Sequence, residues 1–94
     1  MSEVKLYKLL ELIIKAAEKA DSESLGKLNE EFSAEYDKIF ADIHYHREDT
    51  RPLHYDRCRN SADSLSRINS KHELYNKLLK DMRSHFQAIK KPEH

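Results

Sequence analysis

The chain has 94 residues with one Gly, two Pro and one Cys, and 17 Lys plus Arg balance 17 Asp plus Glu. This length makes one domain, and so little turn chemistry, with few β-branched residues, excludes a hairpin-rich fold and leaves an all-α one. Neutrality gives no argument for a nucleic-acid or membrane partner, and the lone Cys58 excludes an internal disulfide and fits a reducing interior, so the cytoplasm is the expected location.

The first expected helix holds the densest aliphatic run in the chain. Leu6, Leu9, Leu10, Ile13 and Ala17 follow the i, i+3, i+4, i+7 spacing of one helical face, and Tyr7, Leu12, Ile14 and Ala16 widen it. A face that wide exceeds what one neighbouring helix covers, which places the helix centrally in a bundle or against a second copy of the chain. The run is too short and too charged to span a bilayer.

Asp21, Ser22, Glu23 and Ser24 then supply turn and cap chemistry, with Asp21 or Ser22 able to accept from the free N–H groups of a second helix. That helix carries the stripe Leu25, Leu28, Phe32, Tyr36, Ile39, Phe40 and Ile43, and an acidic opposite face of Glu30, Glu31, Glu35 and Asp37 that reads as solvated. Gly26 weakens its first turns. Pro52 suits the first position of a third helix capped by Thr50 or Arg51, with Leu53, Cys58, Ala62, Leu65 and Ile68 as its buried edge. Ser70 and Glu73 have capping-box spacing, and the stripe Leu74, Tyr75, Leu78, Leu79, Met82, Phe86 and Ile89 follows them to about Lys90.

The expected architecture is therefore an all-α, small antiparallel bundle of four helices over about 3–20, 23–46, 52–69 and 71–90, within a single domain of residues 1–94. The competing architecture has three helices, the last one continuous over 52–90, because Leu65, Ile68, His72, Tyr75 and Leu79 keep a helical period across the junction. Residues 1–47 hold seven Lys/Arg against ten Asp/Glu and residues 48–94 the reverse, a small asymmetry for a solvated helical domain.

The chemically dense stretch is residues 44–59, with three histidines, two tyrosines, four arginines and the cysteine around the central turn. His44, His46, His54 and Cys58 are zinc-ligand types, but their spacing matches no paired zinc motif. Arg47, Arg51, Arg57 and Arg59 could meet phosphates while Tyr45 and Tyr55 stack on bases, although Glu48, Asp49 and Asp56 weaken the field. Further on, Arg67 and His72 have an Arg-x4-His spacing that resembles the short motif of the helical HEPN ribonucleases. In that family Arg and His act together in RNA cleavage, commonly at a dimer interface. The resemblance spans six residues, and Ile68 stands where the family usually has a polar residue. It implies a reading in which Arg67 meets phosphate charge and His72 moves a proton.

The favoured expectation is a small non-enzymatic helical protein that acts by protein–protein interaction, as a regulator, inhibitor, adaptor or chaperone. Its partner contacts are expected at Tyr45, Arg47, Arg51, Tyr55 and Arg59, since Tyr and Arg tend to carry interface energy. No metal, no cofactor and no membrane are expected; another protein is, and a second copy could dock through the first helix. Nucleic-acid binding by the basic central turn is the alternative, and a metal-binding or HEPN-like ribonuclease-type protein the second alternative.

Overall fold

A computed structural model of the chain describes residues 3–40 and 50–90. Four helices are present, α1 (Glu3–Glu18), α2 (Ser22–Phe40), α3 (Arg51–Leu65) and α4 (Glu73–Lys90), with no strand among the described residues, as expected of an all-α four-helix bundle. The expected course of the second helix from residue 41 to His46 lies outside the described residues.

Cross-helix contacts set the directions. Lys5 meets Glu35 at 3.2 Å, Tyr36 reaches the Pro52 carbonyl at 3.3 Å, and Cys58 lies against Met82, so each helix runs antiparallel to the next. Glu3 pairs with Arg51, the first residues of α1 and α3, which places these two helices parallel across the bundle. Both α1 and α3 touch all three other helices, whereas α2 and α4 are not packed against each other. The cross-section is thus a rhombus, with α1 and α3 on its short diagonal.

This geometry explains the wide face of α1. Leu6, Leu9, Leu10, Ile13, Ile14, Ala16 and Ala17 are all buried, against Leu25, Phe32 and Tyr36 of α2, Tyr55, Cys58, Ala62 and Leu65 of α3, and Tyr75, Leu79, Met82 and Ile89 of α4. At about 25 cal/mol per Å² of apolar surface, each such Leu or Ile contributes about 1.5–3 kcal/mol. Leu12, expected to widen the face, is 48% exposed. The buried edge of α3 also differs from expectation: Tyr55, Cys58, Ala62 and Leu65 form it, and Leu53, two residues from Tyr55 and so on the far side of the helix, is 49% exposed.

The connections are tight. Ala20 has a left-handed φ of 57°; its N–H donates to the Ala17 carbonyl at 3.1 Å and that of Asp21 to Ala16 at 2.9 Å, the paired bonds of a Schellman helix end. Asp21 then caps α2, its Oδ1 accepting from the Ser24 N–H at 3.2 Å. The continuous-helix alternative over 52–90 does not hold, because residues 66–72 form a turn. There the Ser66 hydroxyl donates to the Asp63 carbonyl and the Asn69 Oδ1 accepts from the Lys71 N–H at 2.8 Å, the side-chain competition with backbone that disfavours helix. The start of α4 is capped by His72 in place of the expected Ser70: His72 Nδ1 accepts from the Leu74 N–H at 3.1 Å.

The charge asymmetry is met in part inside the molecule. Arg51 pairs with Glu3, Arg59 with Asp37 and Arg83 with Glu18, each a basic residue of the second half against an acidic one of the first. Glu35, expected on a solvated face, is 9% exposed and lies between Lys5 and Lys38. No described helix is long and apolar enough to cross a membrane.

Candidate functional site

The starts of α1 and α3 and the end of α4 converge at one end of the bundle. Glu3 organises the polar side of this end: its two carboxylate oxygens accept from Arg51 Nη1 at 3.0 and 3.2 Å, and Oε2 also accepts from the Tyr55 hydroxyl at 3.2 Å. The Tyr55 ring is fully buried beside Phe32 and Phe40. Burial first, and the Glu3 charge second, push its phenol well above the usual tyrosine range, so it stays a neutral donor. Between these helices lies an open depression with Val4, Tyr7 and Ile89 as its apolar lining and Glu3, Arg51 and Lys90 around it. Val4 is 63% exposed, and the Tyr7 ring leans on Phe86 with centroids 4.8 Å apart.

Of the expected contact residues, Tyr45 and Arg47 lie outside the described residues. Tyr55 is a fully buried core residue that also lines the depression, in place of the open surface expected for it: it follows the i, i+3, i+7 spacing of Tyr55, Cys58 and Ala62 into the bundle. Arg51 borders the depression with its side chain 43% exposed. Arg59 is built into a local network, its guanidinium carbon 4.4 Å from the Tyr36 ring centre and its nitrogens on Asp37 at 3.3 Å and on Asp56. The Arg59 carbonyl accepts from Asn29 Nδ2 at 3.4 Å, while Oδ1 of that buried Asn29 has no hydrogen-bond partner among the described residues.

Of the four zinc-ligand types, His44 and His46 lie outside the described residues, and Cys58 and His54 turn to different partners. Cys58 is fully buried with Sγ 3.6 Å from the Met82 carbonyl oxygen, and burial pushes its thiol up to about 12. His54 turns to α4, where its Nδ1 lies 2.9 Å from Nδ1 of His85 and the two rings are 5.1 Å apart. One nitrogen must donate and the other accept, so the pair shares a proton. Desolvation first, then the neighbouring His54 and Arg57, lower the His85 pKa from its ordinary value, and Asp81 opposes them. His85 was missed in the sequence. The signal for it is symmetry, since in an antiparallel pair the residues equidistant from the turn at 66–72 face each other, and His54 and His85 are nearly so. Among the described residues no group of three His, Cys, Asp or Glu side chains is placed to hold a metal ion.

The Arg67 and His72 of the HEPN-like spacing have local roles. Arg67 pairs with Asp63 at 3.3 Å, one turn earlier, and His72 caps α4. No family model matches the chain, and no match was found among curated proteins or solved structures.

Proposed function

We propose that this protein acts by binding another protein and not by catalysis, as a small helical interaction module of the regulator, inhibitor, adaptor or chaperone kind. The observation that carries it is the depression at the bundle end, where Val4, Tyr7 and Ile89 give an apolar surface bordered by the charges of Glu3, Arg51 and Lys90. An apolar patch rimmed by polar groups is the usual form of a protein contact, with tyrosine and arginine as its common anchors. The occupant that fits is a short amphipathic segment, its apolar side chain against Val4 and Ile89 and an acidic group beside Lys90. A self-association through α1 would have only Val4 and Leu12 of that helix's large aliphatics to use, because the rest face the core. Nucleic-acid binding is less well supported, since Arg51, Arg59 and Arg67 each engage a carboxylate of the same chain. The reduced, buried thiol of Cys58 suits the cytoplasm.

A photo-crosslinking residue at Val4 in the native host, compared with one at the exposed Lys27 near the other bundle end, tests this. The expected result is a discrete protein adduct at Val4 that is absent at Lys27 and weakened by Lys90→Glu. Identical adducts at both positions, or none at Val4, would refute it.

A further inference from the structure

We propose that His54 and His85 form a two-histidine clip for a divalent copper ion, bridging α3 and α4 through their Nδ1 atoms. The geometry carries this. Two nitrogens bound in adjacent corners of a square-planar ion at about 2.0 Å stand about 2.8 Å apart, and about 3.3 Å apart on a tetrahedral one. The observed 2.9 Å separation fits the square-planar case. Each imidazole sits on a regular helix, so the packing of α3 on α4, with Cys58 against Met82 one turn further along, brings the two rings within reach of each other.

The remaining adjustment is confined to the two side chains. In the empty pair the two nitrogens face each other across one hydrogen bond; to converge on a common ion each ring turns by up to about 45°, and the donor imidazole moves its proton from Nδ1 to Nε2 without changing charge. Both rings are partly buried and partly open. A surface depression lined by Leu53, Asp56, Arg57, Asn60, Asp81 and His85 gives access from solvent on the His85 side of the pair. The charges facing the pair are mixed. Arg57 on α3 opposes a cation, Asp81 on α4 favours one, and Asp56 is occupied by Arg59. With no third protein ligand among the described residues, the other corners of the ion go to water or to a small exogenous ligand. Copper heads the order of divalent affinities for imidazole sites, which is why a two-ligand clip selects it.

The test uses the untagged full chain in which His44, His46 and His94 are replaced by Ala and His72 by Asn, the last chosen to keep the cap of α4. Copper(II) alone is titrated at neutral pH and followed by electron paramagnetic resonance, with far-UV circular dichroism as the check on folding. One ion per chain with hyperfine coupling to two nitrogens is expected. His54→Gln and His85→Gln, which leave a side-chain amide able to hydrogen-bond the remaining imidazole, should each reduce the coupling to one nitrogen and weaken binding about 100-fold or more, the loss of a tethered second ligand. Absence of the two-nitrogen signal in the parent, or equal affinity in either Gln variant while it remains helical, would overturn the proposal.

Discussion

Moving the only glycine of the chain from position 26 to position 20 should stabilise the protein. Ala20 sits at the left-handed end of α1 with φ 57°, where a β-carbon costs about 1–2 kcal/mol. Ala20→Gly removes that strain but frees the unfolded chain by about 0.4–1 kcal/mol, which leaves a gain of about 0.7 kcal/mol. Gly26 lies in the second turn of α2, and a Cβ built there meets nothing within 4 Å. Gly26→Ala should therefore contribute about 0.5–1 kcal/mol. Ala20 ends α1 and Gly26 lies within α2, so the double variant is expected near 1.5 kcal/mol by additivity. For a domain of this size, that raises the melting temperature by about 6–12 °C. Urea denaturation and thermal melting of both single variants and the double measure it. A destabilising Ala20→Gly would show that residue 20 is not left-handed, and a destabilising Gly26→Ala would show that the space beside α2 is filled.

Two further substitutions probe the core beneath the candidate site. Tyr55→Phe removes only the hydroxyl donated to the half-exposed Glu3 and should cost about 1 kcal/mol, whereas Tyr55→Ala empties the space beside Phe32 and Phe40 and should cost about 3–5 kcal/mol in chemical denaturation. A near-neutral Tyr55→Ala would place the ring outside the core. Cys58, its thiol pushed up to about 12 by burial, should resist iodoacetamide in the native protein at about pH 8 and react once denaturant is added. Rapid alkylation of the native chain would contradict its placement between α3 and α4.

The helices with aliphatic stripes are legible in the sequence because Leu and Ile report their own burial. The end of α4 at Lys90, the cap at Asp21 and the buried face of α1 all follow from spacing and cap chemistry. The junction at 66–72 is less legible: its apolar period continues through Ile68, and only the local bonding of Ser66 and Asn69 interrupts the helix. Ala20 also hides its role, because the left-handed end of α1 carries no glycine to announce it. The histidine pair depends on which helices become neighbours, and no local window contains both His54 and His85.

The least legible helix in the sequence is α3, for a reason that lies in its position. Its composition is the most polar of the four helices, and polarity suggests a peripheral helix whose tyrosine and arginines look outward. Yet α3 shares the short diagonal with α1 and touches every other helix. Close approach across a diagonal calls for small side chains at the contact, because interaxial distance follows the residues between the helices. Cys58 and Ala62 are the small residues of the α3 edge, and both are fully buried. Tyr55 fills the wider end of the same edge, and its hydroxyl, which an apolar core would leave unsatisfied, finds the Glu3 carboxylate there. The buried edge of α3 is thus narrow and built partly of small residues, and the arginines that flank it are drawn to the acidic residues of α1 and α2: Arg51 to Glu3, and Arg59 to Asp37. Among the described residues, the apolar groups that reach the surface at this end are Val4 and the half-buried Tyr7, on α1, with the largely buried Ile89 of α4 beside them.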